Sequence, residues 1–250
     1  MLNIIANLLK PSFGNVKLFG KSNTDHRIFK EVSYLQDNSV LFDYLTGYDH
    51  LKYVCDVQKL PKQRIAETAT YVGMESYLKK PVGSYSLGMK QHLLLAASIL
   101  SKPKILLMDE PLNGLDPSSA ILVRNILKEL ATQGTTIILS SHNLGEIDRV
   151  TRQVLFLKDG ELQEENMAHY ETISYQFTMQ QNEEWETRLK ASSFPFEKVG
   201  KGYDIQLAHH TFQDLLEQAA TVKIDVLDIQ KVISGTEKRY AELFGVQESV

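Results

Sequence analysis

The chain is poor in the features that would staple it covalently or anchor it in a bilayer. Its 250 residues hold one cysteine and one tryptophan, and no apolar run nears the ~20 residues of a membrane span. The longest such run, Leu93 to Leu100, is far too short, so membrane contact has to pass through partner subunits. The lone Cys55 excludes a disulfide framework, suits the cytosol, and reads as a packing residue. Cations are not in excess: 27 Lys and Arg face 31 Asp and Glu, a net charge of −4. That balance argues against nucleic acid as the main partner, because phosphate neutralisation needs clustered positive charge. The residues after Met1 have no basic n-region or small-residue cleavage site, so they do not read as a signal peptide.

With 43% apolar and 23% charged residues, the chain reads as a globular protein with room for one large domain and a small one. Its most informative run is Ile105-Leu-Leu-Met-Asp109-Glu110-Pro111-Leu-Asn113-Gly114-Leu-Asp116-Pro117. Four apolar residues deliver two adjacent carboxylates where Pro111 ends any strand. Ligands of open α/β sheets bind at the carboxyl ends of strands, so both acids would face one there. Asp109 could hold Mg²⁺, usually through water, and Glu110 could polarise an attacking water. Upstream, Ser86 is a good N-cap for an apolar helix, and Gly88 allows close backbone approach. Such a helix start is suited to a terminal phosphate. Downstream, Thr135 to Ser141 reads as a β-branched strand followed by His142, which could bond a γ-phosphate or orient water.

Expected strands at 104–108, 135–140 and 152–157 alternate with helices near 87–101, 117–132 and 143–150, which predicts a parallel βαβ architecture. Tyr48 to Val57 and Pro61 to Val72 read as helices, and Leu2 to Lys10 as a helix stopped by Pro11. Beyond residue 165, Ile173 to Met179, Tyr203 to Leu207 and Thr221 to Ile229 read as strands. Phe212 to Ala220 and Lys238 to Phe244 read as helices, a small α+β appendage. His169, His209 and His210 have no metal-ligand spacing and read as solvated loop residues.

Taken together, these motifs resemble the ATP-binding subunit of ABC transporters, over roughly residues 1 to 165. Tyr85-Ser86-Leu87-Gly88-Met89-Lys90-Gln91 is similar to the signature loop, and its spelling resembles bacterial exporters of drugs and peptide antibiotics. Asp109 and Glu110 resemble the Walker B aspartate and catalytic glutamate, Gly114 to Pro117 the D-loop, and His142 the switch histidine. The closing strand Val154 to Glu161 also fits the family's pattern.

The resemblance implies a P-loop NTPase-like α/β sheet with a helical subdomain at about 46–101, forming an ATP-binding domain over 1–165 and an α+β accessory domain over 166–250. It implies ATP and Mg²⁺ as cofactors and Glu110 and His142 as catalytic groups. Ser86, Gly88, Gln91 and Asp116 would bind the nucleotide or bridge the dimer. Asp109 would bind the metal together with Gln36 or Asp37, either of which can fill the position of the family's metal-touching glutamine. The implied partners are membrane-spanning permease subunits and a second ATP-binding subunit, identical or not, at the cytoplasmic face of the plasma membrane. Tyr44, Tyr48, Leu51 and Tyr53 either form the permease-docking surface or belong to the core.

One family element is not spelled out. No Gly-x-x-x-x-Gly-Lys-Ser/Thr occurs. Gly14 to Ser22 places five residues between its glycines and continues into Asn23-Thr24-Asp25-His26-Arg27 instead of an apolar helix, so it reads as a strand ending in a turn. Leu2 to Lys10 resembles the helix that follows the phosphate loop, which places that loop before Met1. A chain without the loop could still complete a partner's ATP site through Ser86 and Gly88, as a non-catalytic subunit. Soluble ABC ATPases of repair or translation fit less well, because neither a coiled coil nor a second cassette is present.

Overall fold

The computed structural model describes residues 1–170, 172–222 and 224–245. They form two compact units, Met1–Glu146 and Ile147–Val250, dividing within one short helix. The expected boundary at 165/166 would have placed the strands between them with the first unit instead.

The first unit is built on three parallel strands, β3 (Val32–Leu35), β4 (Ile105–Asp109) and β5 (Thr136–Ser140), in that order across the sheet. The register pairs Leu35 with Met108 and Asp109 with Ser140, so all three strands end at one edge. The central strand is buried on both faces. Leu106 and Met108 pack with Leu93 and Leu95 of α4 (Leu87–Ile99), while Leu107 packs with Leu2 and Ala6 beside α1 (Leu2–Ile5). Helices α2 (Gly47–Gln58) and α3 (Gln63–Tyr71) join α4 in the larger core. The structure thus places them where the sequence predicts a helical segment.

Two expectations for the N-terminal stretch meet different outcomes. The helix expected over 2–10 stops at Ile5. Asn7 takes a left-handed conformation (φ 59°) and closes a Schellman motif, in which the Leu8 amide donates to Asn3 O and the Asn7 amide to Ile4 O. Asparagine tolerates that conformation, so the chain turns before Pro11 can act. Residues 14–22 form no phosphate loop. They make a hairpin, β1 (Lys17–Leu18) with β2 (Lys21–Ser22), and Phe19 and Gly20 both have positive φ at its tip. Asn23, buried just beyond, donates to the carbonyls of Ile4 and Ile5 and ties the hairpin to α1.

The remaining elements of this unit are α5 (Pro117–Thr132) and the start of α6 (Leu144–Val150), which runs on into the second unit. Asp116 caps α5 by accepting from the amides of Ser118 and Ser119, and Pro117 sits in its first turn.

The second unit corrects the topology expected for the closing strand. β6 (Gln153–Lys158) does not join the parallel sheet; it pairs antiparallel with β7 (Glu161–Asn166). Asp159 and Gly160, with φ of 51° and 85°, form the turn between them, and Asp-Gly is a strong hairpin signal. The rest runs β8 (Thr172–Thr178), α7 (Glu183–Ala191), β9 (Phe196–Val199), β10 (Gly202–Gln206), α8 (Phe212–Val222) and β11 (Asp228–Ser234). Its antiparallel sheet has the order β11-β8-β10-β9. A βαββαβ path with that order is the split-βαβ, ferredoxin-like arrangement. Phe177, Tyr203 and Ile205 of the sheet bury Trp185 and Leu189 of α7 and Leu215 of α8. The strand expected over 221–229 starts later, at Asp228, because α8 continues to Val222. Of that expected strand, Lys223 lies outside the described residues, as do residues 246–250 of the expected accessory domain. A last helix, α9 (Thr236–Phe244), packs Phe244 against Phe156 of β6.

Candidate nucleotide site

The parallel register decides the geometry of the site. Because β3, β4 and β5 end together, Gln36, Asp109 and Ser140 emerge at adjacent positions on the same edge. The Ser140 hydroxyl donates to Asp109 Oδ1 at 2.5 Å and fixes that carboxylate at the strand end. Glu110 follows in a left-handed conformation (φ 49°), its amide donating to Ser140 O. That backbone turns its side chain towards His142, whose Nδ1 lies 3.0 Å from Glu110 Oε2. Both side chains remain partly open to solvent, at 33% for Glu110 and 69% for His142. A carboxylate touching an imidazole at a sheet edge is an arrangement able to polarise water.

Asp37 is exposed and accepts from the Ser39 amide at 2.7 Å; the Ser39 hydrogen bonds hold its carboxyl below the ordinary range. Gln36 is half-buried at the end of β3. Tyr34, on β3, donates its hydroxyl to Asn3 Oδ1 at 2.8 Å. Burial raises its hydroxyl first, and the charges of Asp109 and Asp37 raise it further. Asp109, Asp37 and Gln36 carry oxygens of the hard kind that Mg²⁺ prefers, but among the described residues no three His, Cys, Asp or Glu side chains cluster as a metal site. The amide cradle for phosphates is not supplied by the residues that would have to form it, since 14–22 is a hairpin with no helix behind it.

The signature-like loop is built as expected at its start. Ser86 caps α4, its Oγ accepting from the Met89 amide at 3.3 Å, while its carbonyl takes the Lys90 amide. This leaves the first-turn amides of Leu87 and Gly88 as the helix's orphan donors. Gly88 is needed for packing within the chain. A β-carbon there would stand 3.4 Å from Asp116 Oδ2 and 3.3 Å from Ser119 Oγ, so the starts of α4 and α5 lie against each other. Gly114 adds to this contact, having φ of 69° and the Leu87 side chain where a β-carbon would go.

Gln91 is only 7% exposed and its amide donates to Pro111 O at 2.9 Å, so it braces the turn after β4. The helical period explains this, since Gln91 falls on the face of α4 that carries Leu94 and Leu95. The four residues weighed as docking surface also divide. Leu51 is fully buried and Tyr48 packs on the core, whereas Tyr44 and Tyr53 are 77% and 70% exposed.

One residue with a strong signal in the structure was missed in the sequence. His92, on α4, is 9% exposed; its Nδ1 lies 3.1 Å from Tyr77 Oη, and its Nε2 has no partner. Burial lowers its pKa from the ordinary 6.5, partly opposed by Asp116. Folded His92 therefore resists protonation more than unfolded His92 does. Its contribution to stability is fully present above 6.5 and is lost as the pH falls below that value. Urea unfolding of wild type should show a steeper loss of stability on acidification than His92→Gln, and parallel curves would refute this.

A profile of the ABC transporter family matches residues 1–113. An uncharacterized ABC transporter ATP-binding protein of Bacillus subtilis, YhcH, is 30% identical over 98% of this chain and 82% of its own length. The chain belongs to the ABC transporter ATP-binding family. The bacitracin transport ATP-binding protein BcrA of Enterococcus faecalis is similar at 33% identity over 66% of the chain and 54% of BcrA. This ABC protein thus spans most of YhcH but about half of relatives such as BcrA. A solved ATP-binding subunit of an ABC transporter superposes with a TM-score of 0.61 at 23% identity, covering 68% of this chain and 73% of that one. The fold expected from the motifs is therefore the fold observed. Among the described residues, no helix is long and apolar enough to cross a membrane.

Proposed function

We propose that this protein is the ATP-binding and hydrolysing subunit of an exporter, coupling hydrolysis to transport through separate permease subunits. The observation that carries the reading is the Glu110–His142 contact beside Asp109 at the common end of three parallel strands. Residues 1–165 carry the ATP chemistry and residues 166–250 an accessory role. The protein works as a homodimer or heterodimer of ATP-binding subunits at the cytoplasmic face of the plasma membrane. Exposed Tyr44 and Tyr53 support a docking face for the permease. BcrA is named for bacitracin transport, and SrtF of Streptococcus pyogenes, 30% identical, for lantibiotic transport. Those names support an antibiotic of the bacitracin or lantibiotic kind as the class of cargo.

Mg²⁺–ATP, when bound, supplies the reactive phosphoanhydride and the metal's charge. Asp109 holds the metal side of the site, with Gln36 or Asp37 adding an oxygen. Glu110 would take the proton of an attacking water, oriented by His142 through the 3.0 Å contact of Nδ1 with Oε2, and the rest of the exposed imidazole would be open to a terminal phosphate. Ser86, whose oxygen accepts the Met89 amide, keeps its own O–H free to donate to a nucleotide on the opposite subunit. Asp116 lies where the two subunits meet. Catalysis in such a site rests on positioning and electrostatics.

A second reading is favoured by one observation: these 250 residues contain no phosphate-loop sequence. The chain would then lend Ser86 and Gly88 to a partner's nucleotide without hydrolysing any itself. The deciding experiment isolates the protein with its membrane partner and measures ATP hydrolysis with Mg²⁺ and after EDTA. Mg²⁺-dependent turnover lost on Glu110→Gln in this chain supports the first reading. Turnover indifferent to that change supports the second.

A further inference from the structure

His92 is a buried histidine with one ring nitrogen engaged and the other idle. It follows Gly88 by one helical turn, so both lie on one stripe of α4, facing the start of α5. On one side, Tyr77 presents its hydroxyl to Nδ1 at 3.1 Å. Tyr77 is itself fixed: its carbonyl accepts from Tyr85 Oη at 2.7 Å, and the two rings meet edge to face at 5.0 Å. Burial pushes the Tyr77 hydroxyl up to about 12, so it keeps its proton and donates it to Nδ1. The neutral ring then carries its own proton on Nε2, a tautomer assigned from the hydrogen-bond pattern. Asp116 Oδ2 comes within 3.4 Å of where a β-carbon would stand on Gly88, one turn before His92, and its charge acts on the ring. Tyr77, from the 72–85 connection, thus touches the ring, and Asp116, at the cap of α5, is the charged group that acts on it. In this structure the Asp116 carboxylate is turned to the Ser118 and Ser119 amides, and the Nε2 proton has no acceptor.

We propose that His92 is a positioning residue whose Nε2–H, unpartnered here, donates to the Asp116 carboxylate in the engaged state of the dimer, and so ties the Asn113–Asp116 turn, through Tyr77, to the helical segment. The parts are a tautomer set by Tyr77, a donor buried without a partner, and a carboxylate at the cap of α5 whose Oδ2 takes no hydrogen bond from the cap amides. A buried donor without an acceptor is costly, and that cost favours the state in which Asp116 swings onto it. Gly88 eases the approach, because a β-carbon there would press on the Ser119 and Asp116 side chains at 3.3 and 3.4 Å. The role given to the Asn113–Asp116 turn rests on the ATPase reading above; the hydrogen-bond chain itself does not.

The test therefore has two arms. In the 250-residue protein, nitrogen-15 NMR of the imidazole should show the Nε2–H tautomer. Asp116→Asn should lower the pH at which His92 titrates, because a charge that favours its protonated form is gone, and Tyr77→Phe should free Nδ1 and mix the tautomers. An Nδ1–H tautomer, or a titration indifferent to Asp116→Asn, overturns the proposal whatever the protein's activity. In the assembled transporter, His92→Phe should cut ATP turnover roughly tenfold to a hundredfold with KM little changed, as misplacement remote from the chemistry can. His92→Gln, which keeps an N–H near the Nε2 position, should recover most of it. Equal loss in both variants also overturns the proposal. If wild type itself shows no turnover, the ATPase reading fails while the NMR arm still decides on His92.

Discussion

Glu110→Gln in the assembled transporter removes ATP turnover and leaves nucleotide binding intact. The substitution keeps the shape and reach of the side chain, and the left-handed backbone at residue 110 is no harder for glutamine than for glutamate. Asp109 stays held by Ser140, so the metal side of the site is untouched. What is lost is the group proposed above to take a proton from water. Loss of a positioned general base costs roughly 10²- to 10⁴-fold in rate. Binding of a fluorescent ATP analogue, measured beside phosphate release, separates the two effects. Equal hydrolysis by mutant and wild type would sink the role given to Glu110 and move the base elsewhere on the strand edge. The same comparison grades His142. Its imidazole contacts Glu110 through one nitrogen and is largely exposed, so His142→Ala should lower turnover less than Glu110→Gln does.

That site could be read in the sequence because its parts lie on short, strongly patterned segments. Ile105 to Met108 and Thr136 to Leu139 are apolar strands whose carboxyl ends carry the polar residues, and a parallel register brings those ends together without help from elsewhere. Ser86 could be read as a cap for the same reason: capping is local chemistry. What could not be read depends on distant partners. Gln91 looks like its polar neighbours, but the carbonyl that claims it belongs to Pro111, twenty residues on. His92 is a polar residue at the head of an apolar run, and only the fold supplies Tyr77 and Asp116 around it. The N-terminal helix was drawn too long because its apolar residues outlast its backbone: Asn7 ends it, leaving Leu8 and Leu9 exposed. β6 was assigned to the parallel sheet by its place in the alternation, although the Asp159-Gly160 turn already pointed to a hairpin.

The second large effect is expected in the other unit, at a residue that carries no chemistry. Gly202 opens β10, pairs with Val199 of β9, and lies against the backbone of β8. A β-carbon on it would overlap the carbonyl oxygen of Phe177, which is backbone and cannot rotate away. Nor can Phe177 retreat freely, since β8 is paired on its far side with β11, Ile229 opposite Phe177. Its ring is meanwhile packed with Trp185 and Tyr203 in the core of the unit. Gly202→Ala therefore forces β10 off β8 and should cost about 3 kcal/mol, at the upper end for overpacking because no side chain can yield. The protein carries its own reporter, because the single tryptophan, Trp185, is fully buried in that core. Urea unfolding followed by its fluorescence should move to much lower denaturant with the slope preserved, which marks a change in stability and not in the surface exposed. A loss below about 1 kcal/mol would mean that β10 lies in another register, since a slip of one residue would turn the site of the clash to the opposite face.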